Sequence, residues 1–336
     1  MFQARGFKVN LKNMDLLNMG PGYGAHFMGR FLNGQVVGHF WIGLINNGYI
    51  HGVANEEGLA TGDDIVFIYP DGETALRGKF ENRYMKKARN VNVKNYGCDE
   101  NGMFIPTEFS EPLSDYEYSY DPCTNESFGG VSKFIPDPYE LKTVKLMSSA
   151  LPNSGEGVML RRDIPFGRPA CFYSLYLYRE PDQVNLYQES CCENKKKSDH
   201  YRRECKKYSL GLRSYDATID LPPELDVNPL PNLGPKVNHH FKEHNSNYME
   251  TEHPRWGLIQ SVTPFVDMKA GEELFTFYGY GIKAKFPADF PWYWEAKMKI
   301  DREERLQKEA LEKQKAEKKK NKKNKSKIKD KKSVKP

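Results

Sequence analysis

Glycines at near-regular spacing dominate the first 90 residues and limit what that stretch can become. Gly29, Gly34 and Gly38 form one trio, and Gly52, Gly58 and Gly62 form the next. A third set is degenerate: Gly78 is followed by Arg83 and Lys87 where glycines would fall. The sets recur at a period of about 24 residues, the mark of stacked supersecondary units. Short apolar and aromatic runs lie between them, at Val37 to Ile45, Asp64 to Tyr69 and Leu76 to Phe80, and Asp71-Gly72 supplies a hairpin turn. A single hairpin cannot hide its apolar face, so the pattern predicts a β-meander that buries one face against a neighbour.

Gly-Arg-Phe-Leu-Asn-Gly (29–34) and Gly-Lys-Phe-Glu-Asn (78–82) resemble MORN repeats, a family of glycine-punctuated β-hairpins. No basic amphipathic stripe of the kind that binds lipid runs through them. We therefore read residues 1–96 as a scaffold that supports the C-terminal half of the chain, with a partner-binding surface as the alternative.

Residues 97–140 are polar and acidic and carry Pro106, Pro112, Pro122, Pro136 and Pro138, which reads as a connector. Apolar β-branched and aromatic runs return at Thr143 to Met147, Ala170 to Tyr178, Arg255 to Val266 and Glu273 to Tyr280, predicting a second β-rich domain over 141–283. The charged stretch Glu189 to Tyr208 reads as a surface insertion. Over 284–318, Asp289 and Pro291 suit a helix start, and Glu304/Lys308 and Glu309/Lys313 are i,i+4 pairs in the favourable order. Residues 319–336 are lysine-rich without apolar periodicity and are expected to be unstructured. The fold class is thus mainly β with a C-terminal helix.

Charge is unevenly placed. The formal net charge is +5, but Lys318 to Lys335 holds eleven lysines against one acid, Asp330, so the remaining body is negative by about 5. An acidic body favours a basic peptide substrate and argues against nucleic-acid binding by the core, while the tail suits acidic partners. The cysteines are Cys98, Cys123, Cys171, Cys191, Cys192 and Cys205, with nothing like paired CxxC motifs. Adjacent Cys191 and Cys192, with His200 and Cys205 beyond, are poor geometry for one tetrahedral zinc, so we expect free thiols and no metal. Met1 to Leu17 lacks the apolar core of a signal peptide, and no apolar run is long enough for a membrane span.

Four segments carry chemistry when taken in order. Ser154-Gly155-Glu156-Gly157 is a loop entering a strand; Phe172-Tyr173 lies in an apolar strand; Asn238-His239-His240-Phe241 follows Gly234; and Glu272-Glu273-Leu274-Phe275-Thr276-Phe277-Tyr278-Gly279-Tyr280 closes the domain. Each alone suits a structural role. Together they resemble the SET domain family of protein lysine methyltransferases, and with the repeats in front and an aromatic helix behind, its MORN-repeat subfamily. That resemblance covers roughly residues 29 to 296.

The resemblance implies S-adenosyl-L-methionine as cofactor, held by Ser154, Gly155, Glu156, Asn238 and His239, with Trp292 as an aromatic lid and Glu295 assisting. It implies Tyr278 as the catalytic tyrosine and Tyr173, Tyr248 and Tyr280 as walls of a lysine channel. It further implies monomethylation of lysine in the histone H3 tail and in other proteins, by a monomer in the nucleus or cytoplasm. Two departures from the family pattern stand near the site: His240 replaces a small residue, and one extra residue lies between Phe241 and Tyr248. A SET-like chain that binds peptide or cofactor without catalysis is the alternative reading.

Overall fold

The computed structural model describes residues 26–121, 135–152, 154–174, 176–179, 210–212, 217–220, 232–278 and 291–332. It forms two compact units, Met1–Tyr278 and Gly279–Pro336.

The first unit opens with a seven-stranded sheet of β1 (His26–Leu32), β2 (Gln35–Gly43), β3 (Tyr49–Val53), β4 (Gly62–Ile68), β5 (Thr74–Glu81), β6 (Tyr84–Cys98) and β7 (Phe104–Phe109). The strands lie in sequence order, each antiparallel to the next. This is the meander that the repeats predict. At the first hairpin, Asn33 and Gly34 both take positive φ, 51° and 84°, the left-handed geometry that two-residue hairpin turns require. Asn82 and Arg83 do the same at the β5–β6 turn, at 49° and 66°. The degenerate repeat therefore keeps its turn without its glycine. Arg83 is held there: its N–H donates to the Ala60 carbonyl at 3.0 Å, and its guanidinium lies 3.4 Å from Glu252 in the second sheet.

The sheet also runs past the expected boundary at residue 96. β7 lies within the stretch that proline content marked as connector, and Pro106 pairs with Tyr96 inside it. Proline is tolerated because β7 is an edge strand. Further along, Tyr118 forms an isolated bridge with Ala88 and is 1% exposed. The described residues of this stretch, 97–121 and 135–140, thus contribute a strand and core aromatics.

The second sheet has the order β10 (Cys171–Tyr173), β16 (Gly257–Pro264), β15 (Ser246–His253), β17 (Phe275–Thr276), β14 (Asn238–His239). β17 runs parallel to both β14 and β15. Around it lie the hairpin of β8 (Val144–Ser148) and β9 (Glu156–Leu160), and a small sheet of β11 (Tyr176–Arg179), β12 (Leu210–Leu212) and β13 (Ala217–Asp220). β15 was not among the apolar runs, because its sequence SNYMETEH is largely polar. The charged insertion 189–208 lies outside the described residues, as do Cys191, Cys192, His200 and Cys205.

One core joins the two sheets. Phe40, Ile42, Ile50, Phe67 and Leu76 from the meander pack in the same buried cluster as Phe172, Trp256 and Ile259. The short helix α1 (Pro138–Thr143) sits at this junction: Tyr69, just after β4, stacks on Tyr139 at 5.2 Å.

The second unit contains α2, Pro291–Lys332. It continues beyond Lys318, where an unstructured tail is expected. Lysine is a good helix former and no breaker intervenes before Pro336, so local propensity accounts for the extension despite like-charge repulsion. Among the described residues, no helix is long and apolar enough to cross a membrane.

Candidate active site

The crossing of strands is what assembles the site. β14 and β17 pair in parallel, Asn238 with Phe275 and His239 with Thr276, so the third and fourth motifs lie side by side. The first joins them through Asn238, whose Nδ2 donates to the Glu156 carbonyl at 2.9 Å and lies 3.2 Å from Glu273 Oε1.

Glu273 is the clamp of this arrangement. It is 7% exposed. Its Oε1 accepts from the Ser149 hydroxyl at 2.7 Å and its Oε2 from the Ala150 N–H at 2.8 Å. These bonds tie the loop before Ser154 to the strand that leads to Tyr278. Gly157 fits against the carboxylate so closely that a Cβ there would lie 2.0 Å from Glu273 Oε1. A side chain at position 157 would therefore force the buried carboxylate away from its partners. Ser154 is half-buried, whereas Gly155, in the left-handed region at φ 67°, and Glu156 are exposed.

His239 is buried in an aromatic nest, with ring centroids 4.3 Å from Phe241, 5.4 Å from Phe277 and 5.1 Å from Tyr278. Burial is the largest cause of its pKa falling to about 4, so the ring is neutral near pH 7. The Tyr278 N–H points at Nδ1 from 3.1 Å. The Thr276 carbonyl, which also accepts from the His240 N–H, is equally close. Nδ1 thus meets both groups, as acceptor from the Tyr278 N–H in one neutral tautomer and as donor to the Thr276 carbonyl in the other. The Tyr278 hydroxyl in turn donates to the Val237 carbonyl at 2.9 Å.

Tyr173 and Tyr248 face each other across β16, their partners there being Gln260 and Val262, two residues apart on one face. Their rings meet edge to face at 5.8 Å. Tyr173 is 2% exposed and Tyr248 half-buried. The two departures from the family pattern fall in the loop ahead of Tyr248. His240 Nδ1 accepts from the N–H groups of Lys242 and Glu243 at 3.2 and 2.7 Å. Asn245 then fixes the loop's far end: its side chain donates to the Glu273 carbonyl at 2.8 Å and accepts from the Phe275 N–H at 2.9 Å.

Asn245, Ser149 and the clamp role of Glu273 are not evident in the sequence. The only signal for them there is a carboxylate beside apolar Leu274 in a buried strand. Of the remaining site candidates, Tyr280 lies outside the described residues. Trp292 is in α2 with its side chain outside them, and Glu295 is exposed on the same helix.

The donor set suits a cofactor with an amino-acid end. The Gly155 carbonyl accepts from the Ser149 N–H and the Glu156 carbonyl from Asn238, and the exposure of both residues leaves room for such a group to approach.

The chain matches the family model described as "Histone H3 K4-specific methyltransferase SET7 N-terminal" over residues 31–101. It is 30% identical over 280 residues to the histone-lysine N-methyltransferase SETD7 of Halocynthia roretzi, covering 82% of this chain and 67% of that protein. Solved structures with similarity include "ctPRC2 in an autoinhibited conformation bound to S-adenosylmethionine", at 24% identity, TM-score 0.29, 46% of this chain and 17% of that one. Another is "KRYPTONITE in complex with mCHH DNA, H3(1-15) peptide and SAH", at 19% identity, TM-score 0.28, 44% of this chain and 25% of that one. From the matched repeats in front and the SETD7 likeness along most of its length, the chain belongs to the SET7/SETD7-like family of S-adenosylmethionine-dependent histone-lysine methyltransferases.

Proposed function

We propose that this protein transfers one methyl group from S-adenosylmethionine to a lysine side chain in the histone H3 tail and in other lysine-containing proteins. The observation that carries the reading is that the adjacent Asn238 and His239 bring together two distant segments, Asn238 by its bond to Glu156 and His239 by its contact with the Tyr278 N–H. S-adenosylmethionine, when bound, supplies an activated methyl on a cationic sulfur.

The chain's own residues do the rest. A lysine amine attacks only when neutral, and deprotonating it at neutral pH costs about 4 kcal/mol. A nearby cation lowers that cost, whereas a carboxylate would stabilise the wrong form. Tyrosines suit the channel because they orient an amine by hydrogen bonds without a formal charge. Tyr278, donating its proton to the Val237 carbonyl, presents lone pairs with the polarity that holds an amine N–H. Ser154, Gly155, Glu156, Asn238 and His239 hold the cofactor. Tyr173 and Tyr248 are walls of the lysine channel. Tyr280, Trp292 and Glu295 stay in the assignment on the family motif alone.

Monomethylation follows from the tyrosine pair. A second methyl would require an apolar group where a hydrogen-bonded hydroxyl or water sits, with loss of that bond. The lysine-rich end serves acidic partners or nuclear import and not turnover, and the chain acts as a monomer. Mass spectrometry of an H3 peptide driven to completion tests the channel and tail assignments together, using the full chain and one lacking residues 319–336. The expected result is monomethyl-lysine from both at similar rates. Abundant di- or trimethyl product would contradict the channel assignment, and a large loss on truncation would place the tail in the catalytic unit.

A further inference from the structure

Glu140 is a buried acid, 4% exposed, on α1, outside all four motifs of the site. One of its oxygens, Oε1, accepts two backbone N–H groups at 2.9 Å each, from Phe172 and from Leu233. These belong to different halves of the site. Phe172 precedes Tyr173 in β10. Leu233 opens the 3-10 turn Gly234–Lys236, which runs into Val237, the acceptor for the Tyr278 hydroxyl, and then into Asn238 and His239. A single atom thus fixes the separation between the strand carrying Tyr173 and the segment carrying the Tyr278 anchor.

The helix that holds Glu140 is itself anchored to the repeat sheet. Asp137 caps it, with Oδ1 accepting from the N–H groups of Tyr139 and Glu140. The other oxygen, Oδ2, accepts from the Tyr69 hydroxyl at 2.6 Å and lies 3.4 Å from Arg255 Nη1. Tyr69 directly follows β4 of the meander. A continuous buried path therefore runs from Tyr69 through Asp137 and Glu140 to the two walls of the site.

We propose that Glu140 is a positioning residue for methyl transfer, setting the spacing between the Tyr173 wall and the Val237–His239 segment, and that Tyr69 and Asp137 make the repeat sheet part of that mount. The inference rests on the methyltransferase reading of the site. Burial first, and then the Asp137 carboxylate, push the Glu140 pKa well above the ordinary carboxylate range. Glutamine, which keeps an acceptor oxygen in the same place, is its nearest mimic.

The test compares Glu140→Gln and Glu140→Ala in the full chain. Turnover, KM for cofactor and peptide, product multiplicity and unfolding temperature would be measured for each. Val91→Ala, in the separate outer cluster of the meander, serves as a control for destabilisation alone. Misplacement of reacting groups by about 1 Å costs about 10²-fold. Glu140→Ala is expected to lose turnover on that scale with KM changed little, and to release some dimethyl product. Glu140→Gln is expected to restore turnover to within about threefold of the unmodified chain. Val91→Ala keeps the unmodified turnover and product pattern wherever it is folded. If Glu140→Ala fails to fold, Glu140→Asp decides, because withdrawing the carboxylate by one methylene should still lower turnover about tenfold. Unmodified turnover and product in a folded Ala or Asp variant would overturn the proposal. A natural chain that transfers no methyl at all would instead overturn the function on which it rests.

Discussion

The two large sheets of the first unit are built by opposite rules. In the meander every strand pairs with its neighbour in sequence, so each turn and glycine acts locally. In the second sheet the order crosses over, and its central contacts are long-range: Asn238 reaches Glu156 across 82 positions and Glu273 across 35. A local design tolerates drift, as the Asn82-Arg83 turn shows by keeping left-handed geometry without glycine. A crossed design does not, because each residue in it satisfies partners from several segments at once. The site lies in the crossed sheet, and the meander supplies its footing.

Two glycines put this contrast to its strongest test. Gly157→Ala drives a methyl into Glu273, whose carboxylate already serves Ser149, Ala150 and Asn238. We expect turnover to fall about 10²-fold, since the cofactor-side loop and the Tyr278 strand are displaced together. Gly34→Ala meets nothing within 4 Å and suffers only from its φ of 84°. It should cost about 1–2 kcal/mol of stability and leave turnover unchanged. Calorimetric unfolding and steady-state rates on both variants check this. Equal effects on turnover would erase the distinction between the sheets.

That contrast also explains which parts of the molecule are legible in the sequence. The meander can be read because its signal, glycine spacing and Asp-Gly or Asn-Gly turns, is local. The strand at Phe104–Phe109 is hidden by Pro106, which only an edge position permits. Asn238, His239 and Tyr278 are visible through the family motif. Asn245 and Glu140 are not, because a polar residue that serves backbone groups far away leaves no periodicity around it. The polar β15 escapes notice for a related reason, its buried positions being Ser246, Thr251 and His253 rather than aliphatic residues.

A smaller effect compares the sheets through pH. His51 in the meander and His239 in the site are both held near a pKa of about 4, burial being the leading cause in each. The unfolded chain takes up their protons first, at about 6.5. The stability these residues contribute is therefore complete above that value and is lost as pH falls from about 6.5 towards 4. His51→Gln should therefore lose less stability across this range than the full chain, without altered cofactor affinity. A pH slope left unchanged by His51→Gln would contradict the assignment of that ring as buried and neutral, because acids with raised pKa such as Glu140 act alike in both chains.

The central claim is that the crossed sheet forms a methyl-transfer site around Tyr278. Its most direct test is transfer of labelled methyl from S-adenosylmethionine to an H3 peptide, measured side by side for the full chain and for Tyr278→Phe. The account predicts monomethyl-lysine from the full chain. It predicts a loss of about 10²–10³ in rate for the variant, the usual effect of removing one preorganised polar group, with folding and cofactor affinity retained. No transfer by the full chain, or undiminished transfer by a folded Tyr278→Phe, would contradict it.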